Sequence, residues 1–333
     1  SMIAHDDGLY FSSHKIFNKR HILFLSKVDT KGNLLWKKEI EMGNNDNGFI
    51  TSLSKDKEGN LSLITAERLY KEELQPIFKA HKITRDGSVE LSKVVDMKLE
   101  KDVLLSKLKH LSNNGKLFIS VSYSHFNENN ESTINKYGLY KSCRLIESTN
   151  IITINKSDLI FQSMHRIDNI LINKMIVDKV GNIVSAGMKY SGCRAKRSAI
   201  ALRITQNNHK VIYERKNISD GVGTDIRISN QNNYIFTGFV QRDTGYGRIK
   251  HNLKDDKNKD EYFLKQLAFQ NKRLTFAFIE PFVDIFDSGG AIKSKEILQF
   301  GTSVTNNGTI IVEDNLLMYG AIGNDPALLR ISY

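Results

Sequence analysis

The sequence predicts an all-β fold, a β-propeller of four-stranded antiparallel blades, six in number, with five or seven as the alternatives. Three observations carry this. Apolar and polar residues alternate in runs of about four to eight along the whole 333-residue chain, the mark of half-buried strands, with no sustained helical period. Tight Asp, Asn and Gly turns join the runs in pairs. The pairs of pairs recur at roughly 55 to 65 residues, a propeller-type spacing stretched by long connections.

The inner half of each unit is a strand, a polar turn and a second strand. It is clearest from Ile50 to Ala66 around Asp56-Lys57-Glu58-Gly59-Asn60, and from Ile176 to Gly187 around Asp178-Lys179-Val180-Gly181-Asn182. Weaker copies turn at Ser112-Asn113-Asn114-Gly115, Asn230-Gln231-Asn232-Asn233 and Glu313-Asp314-Asn315. Glycine and asparagine accept the positive φ such turns need, and aspartate bonds its own turn backbone.

The outer half is an alternating strand that ends in a basic and a β-branched residue, then a turn and a last strand. Its best copy runs from Ile22 to Trp36, and others run from Ile77 to Val89, Ala199 to Ile212 and Phe263 to Phe276. Units fall at about 49–95, 105–154, 170–215 and 223–278, with partial ones at 3–40 and 296–333. The first lacks a clear innermost strand and the last its outermost. The termini are therefore expected to close the ring, with Ala327–Ile331 pairing beside Leu9–Ser12 or Ile22–Val28, because shared closure removes two exposed edges.

Asp29-Thr30-Lys31-Gly32-Asn33-Leu34-Leu35-Trp36 resembles the Asp-x-x-Gly-x-x-x-Trp signature of bacterial propeller repeats of the pyrroloquinoline-quinone type and the related SBBP type. Leu91, Tyr213 and Phe276 stand near the tryptophan's place in other units. The resemblance implies the fold. Residues matching the quinone site are absent, so no cofactor is expected, and Trp36 is assigned to packing between blades.

Composition narrows the class. Apolar residues at 40% suffice for a core and charged residues at 26% suit a soluble protein, which argues against disorder. With three prolines and no Pro- or Ser-rich linker, a single domain over 1–333 is expected. No apolar run approaches the ~20 residues of a membrane helix. Residues 1 to 20 show no signal pattern, and Ser1-Met2 is read as a cloning-derived start, which leaves room for a removed leader. An exported bacterial protein, monomeric, is the expectation. Cys143 and Cys193 are too few for a disulfide framework and have no metal spacing. Forty-eight Lys and Arg against 37 Asp and Glu give a formal charge of +11, which favours anionic partners.

The sequence lacks a Gly-x-Ser-x-Gly elbow, a His-Glu-x-x-His helix, a Walker loop and an EF-hand. The sialidase aspartate box fails because Ser26 stands one residue too far from Asp29. The nine histidines are assigned mostly to exposed loops and turns, and Asp6-Asp7, Asp255-Asp256 and Asp260-Glu261 to solvated surface. No metal is expected. Nucleic acid is not expected either, since the chain has no recognition helix or RNA-binding motif.

Two groups remain as candidate binding residues. Connections between second and third strands, at Ser12–Arg20, Glu67–Gln75, Ser124–Tyr137, Lys189–Arg197 and Val240–Glu261, are long and mix cations with aromatics. Tyr190, Arg194, Lys196, Arg197, Arg242, Tyr246 and Arg248 are taken from them. The second group comes from a common offset to the inner turns, which aligns Thr51, Lys107, Asn173 and Thr224 as a polar ring at the mouth of the axis. The expected function is a non-catalytic module binding a protein or an anionic glycan or polymer. The alternative is an enzyme with a dispersed axial site acting on a glycan or small ester.

Overall fold

A computed structural model describes residues 2–5, 7–17, 20–41, 49–56, 58–67, 76–97, 99, 103–126, 145–191, 196–215, 220–242, 278–298, 304–312, 315–322 and 325–332. The fold is all-β, and its repeating element is the four-stranded antiparallel meander of a propeller blade. The first sheet holds β1 (Met2–His5), β2 (Gly8–Phe17), β3 (Arg20–Val28) and β4 (Leu34–Glu41). The second holds β5 (Phe49–Lys55), β6 (Leu61–Glu67), β7 (Ile77–Ile83) and β8 (Val89–Val95). The third is β9 (Leu104–Asn113), β10 (Lys116–Phe126), β11 (Leu145–Asn155) and β12 (Phe161–Asp168). The fourth is β13 (Ile170–Val177), β14 (Ile183–Ser191), β15 (Lys196–Ile204) and β16 (His209–Glu214). The fifth is β17 (Asp220–Ile228), β18 (Tyr234–Arg242), β19 (Phe278–Phe286) and β20 (Ile292–Ile297). The sixth has three described strands, β21 (Val304–Val312), β22 (Asn315–Ile322) and β23 (Asp325–Ser332).

Strands pair in chain order because the turns between them are self-sufficient. Asp29 Oδ1 accepts the amides of Lys31 and Asn33, both at 2.8 Å, and Asp178 and Asp287 repeat the arrangement. The β9–β10 turn instead places Asn114 and Gly115 at φ 49° and 71°, the mirror-image turn that matches the strand twist.

Chain contacts divide the molecule into two compact units, one of residues 1–185, 189–195 and 202–210, the other of 186–188, 196–201 and 211–333. In the first unit the core lies between successive sheets. Tyr10, Leu23, Leu25 and Ile40 pack on Leu53, Leu61, Leu63 and Ile83, and Ile64, Phe78 and Val95 pack on Leu105, Leu117, Ile119 and Ile152. Trp36 joins the first of these clusters edge-on to Tyr10 at 6.1 Å, in the packing role expected of it. In the second unit the core is aromatic: Tyr213 stacks on Phe286 at 4.5 Å, and Phe236 meets Phe282 at 5.3 Å.

Four expectations need correction. The last strand does not pair in the N-terminal sheet. Met2–His5 is itself the innermost strand there, in register Met2↔Phe11, and β23 pairs with β22, so the termini lie in separate sheets. Ser12–Arg20 is not a long loop, because β2 and β3 pair through Phe17↔Arg20. The third and fourth strands of the fifth sheet are β19 and β20, whereas Phe263–Phe276 lies outside the described residues. Histidines 5, 14, 21, 81, 110, 125, 165 and 209 all lie in strands, and His81 and His110 are buried.

Candidate functional site

The innermost strands of the third and fourth sheets bring two of the aligned residues together. Lys107 in β9 donates from Nζ to Oδ1 of Asn173 in β13. Lys107 is the partner of Ser122 across the sheet, and Leu105 is the partner of Tyr123, so Ser106 is an extra residue that bulges β9. A bulge re-aims the side chains beside it. The displaced Ser106 hydroxyl donates to the carbonyl of Ser122 at 3.0 Å. Below it, the Ser122 and Thr149 hydroxyls meet at 2.7 Å, and Thr149 donates to the carbonyl of Ile170 at 2.6 Å, which ties the third sheet to the start of β13.

The Lys107 ammonium is half-buried, and burial holds its pKa below the ordinary lysine value. The Lys109 charge pushes the same way and Glu147 opposes it. Glu147 accepts a hydrogen bond from Ser124 at 2.8 Å. The site can therefore present a cation, a carboxylate and an amide beside the β10–β11 connection.

The other two aligned residues make different contacts. Thr51 meets the Ser12 hydroxyl of β2 at 3.0 Å, where β1 has already ended. Thr224, in the second unit, is itself the bulged residue of β17 and donates to the carbonyl of Thr237 at 3.4 Å. Of the connection residues, Tyr190 is the penultimate residue of β14, and its amide donates to the carbonyl of Asn169 at 2.7 Å. Lys196 and Arg197 open β15, so the connection expected to be long at Lys189–Arg197 occupies only 192–195, because the strands run on into it, and Arg242 closes β18. Arg194, Tyr246 and Arg248 lie outside the described residues, as do Cys143 and Cys193.

Two polar centres escaped the sequence reading. His110 Nε2 lies 2.8 Å from Ser54 Oγ and 2.9 Å from Ser62 Oγ, and Nδ1 lies 2.8 Å from Ser52 Oγ. Burial pulls this imidazole down to about 3, so it is neutral at physiological pH. With the ring enclosed between the second and third sheets, the serine–histidine contact is a packing element and not a base open to substrate. The second centre is Asp7, which accepts Lys27 and Lys55 at 2.9 Å each and Tyr10 Oη at 2.7 Å. It is thus a junction of sheets and not the solvated carboxylate expected of Asp6-Asp7. Neither centre leaves a local motif, because its members are spread across strands far apart in sequence.

No family model matches the chain, and no curated protein matches it. Solved structures are similar at low identity. The acylaminoacyl peptidase of Pyrococcus horikoshii, in its orthorhombic crystal form, is 8% identical over 97% of this chain and 42% of its own, with a TM-score of 0.48. The Trypanosoma rangeli sialidase is 9% identical over 100% of this chain and 54% of its own, also at 0.48. YjhT is 12% identical over 98% and 93%, at 0.44. The chain spans about half the length of the first two. These are likenesses of fold, and the activities named belong to those proteins.

Proposed function

We propose that the chain is a non-catalytic recognition module that binds a protein or an anionic glycan or polymer through the connections joining second to third strands. On this reading the repeats are of the quinone-protein and SBBP type used purely as a scaffold. The observation that carries it is the asymmetry between the two ends of the strands. The inner turns are short and bonded to themselves, whereas the β6–β7, β10–β11 and β18–β19 connections occupy 68–76, 127–144 and 243–277. Long connections on a rigid scaffold are where recognition residues concentrate. In the first unit Lys107 stands near such a strand end, and in the second unit Lys196 and Arg197 open β15 and Arg242 closes β18.

Association of the full chain with a sulfated glycan and with polyglutamate, followed across a salt series, tests the proposal. Reversing charge at Arg194, Lys196 and Arg197 should slow association about tenfold and flatten its salt dependence, because rim charges act mainly on encounter. Lys31→Glu, in the β3–β4 turn, should leave the rate within about twofold. A greater loss from Lys31→Glu would overturn the choice of end. Turnover of an ester or glycoside that Lys107→Ala abolishes while binding persists would instead establish the dispersed-site enzyme.

A further inference from the structure

The Asp7 junction holds more positive charge than it can neutralise. Lys27 Nζ and Lys55 Nζ each lie 2.9 Å from the Asp7 carboxylate, and the Arg85 guanidinium approaches it at 3.8 Å. The two lysine side chains are only 10% and 6% exposed, whereas that of Arg85 is 71% exposed. A buried ammonium is tolerated when an anion or an aromatic face compensates it. One carboxylate offsets one such charge. The Tyr10 ring, 5.0 Å from Lys27 Nζ and 4.7 Å from Lys55 Nζ, offsets part of another. Among the described residues, three cations face this one carboxylate, which leaves a surplus.

Hydrogen-bond capacity shows the same surplus. Among the described residues, Lys27 bonds Asp7 and Tyr10, Lys55 bonds Asp7 and Tyr10 Oη, and Arg85 has no partner within hydrogen-bonding distance. An ammonium has three donors and a guanidinium five, so most of these N–H groups are uncommitted. Two residues on from Arg85, a Cβ placed on Gly87 would stand 2.8 Å from the Trp36 ring, so the turn that carries Arg85 packs closely on the first sheet. The exposed Arg85 guanidinium thus shares the Asp7 carboxylate with two buried ammonium groups.

We propose that Lys27, Lys55 and Arg85 form a binding site for a tetrahedral oxyanion, a phosphate or sulfate group. A guanidinium fork with two ammonium point charges is the donor set that such a group takes. Bonds to Asp7 and Tyr10 hold the Lys27 pKa above its ordinary value. The site lies at the turn ends of β3, β5 and β7, away from the long connections, and does not depend on the recognition role proposed above.

Thermal unfolding of the full chain in sodium sulfate, sodium phosphate and sodium chloride at matched ionic strength tests it. Sulfate stabilises proteins in general, so Arg85→Ala is the comparison that counts. The wild type should show a saturable rise in Tm with phosphate or sulfate, in the form expected of ligand linkage. Arg85→Ala should keep the wild-type Tm in chloride and need about tenfold more anion for the same rise, as loss of one charge-assisted partner implies. Asp7→Asn should lower Tm in chloride, and phosphate or sulfate should restore it, because the bound anion replaces the missing carboxylate. Identical anion responses in wild type and Arg85→Ala would overturn the site. So would an Asp7→Asn deficit that neither anion repairs. Repeating the titration with a sulfated disaccharide separates the sources: tighter binding than inorganic sulfate assigns the site to a glycan ester, weaker binding to the free ion.

Discussion

His110 shows at the scale of one residue why the polar core was hard to read. Its serine partners come from β5 and β6, and only the assembled sheets bring them within bonding distance. Lys107 and Asn173, by contrast, were legible as a pair through register, since both stand at a set offset from an inner turn. Buried histidines also set the acid limit. His81 is pulled down to about 4 by burial and by the Lys79 charge, and His110 to about 3. Both folded values lie below the unfolded 6.5, so the neutral form is the one the fold favours. The stability they contribute is complete above pH 6.5 and is lost as pH falls toward the folded values, by about 1.4 kcal/mol per unit for each group. Urea midpoints measured between pH 7 and pH 4 should therefore fall steeply for the wild type and less steeply for His81→Leu. An unchanged slope in that variant would remove His81 from the account.

Hairpins were legible at the element scale because their turn chemistry is local, and the strands that were missed lacked it. Ser12 to Lys15 in β2 is polar enough to pass for a loop, and β19 carries Pro281, which argues against a strand interior unless a ladder ends beside it, as here, where the register with β20 stops at Phe282. Close approach between strands was invisible in the same way. A Cβ on Gly238 would stand 2.0 Å from the carbonyl oxygen of Val222 and 2.8 Å from the Phe282 ring, so the aromatic core of the second unit rests on that glycine. Gly238→Ala should cost about 2 to 3 kcal/mol, read as a lower urea midpoint, because the backbone or ring must shift. A second dependence joins the end of β16 to β19. Arg215 donates to Asp284 with both fully buried, and Tyr213 Oη donates to the same carboxylate at 2.8 Å. Burial raises the Asp284 pKa despite the Arg215 charge. Arg215→Met leaves that carboxylate without its cation and should cost about 3 to 5 kcal/mol. Arg215→Met combined with Asp284→Leu should recover part of the loss, and a double variant no better than the single one would mean the pair is not what holds these elements together.

For the molecule as a whole, six strand units were legible from the spacing of turns, and six sheets are found. The pairing of the termini was not, because the short β1 looks like the start of a loop until its register with β2 is known. The net charge of +11 does not say where cations gather, and they lie both near the long connections and at the Asp7 junction. The strictly consecutive pairing bears on how the chain comes off the ribosome. Each of the first five sheets is complete in hydrogen bonds once its own four strands have emerged, so nothing in it waits for a distant stretch of sequence. Its faces do wait. Tyr10, Leu23 and Leu25 are covered only when Leu53, Leu61 and Leu63 have been made, and Asp7 meets Lys27 well before Lys55 arrives. The nascent protein therefore always carries one sticky, half-wetted sheet at its growing end, and each newly translated unit shields the one before it while exposing its own.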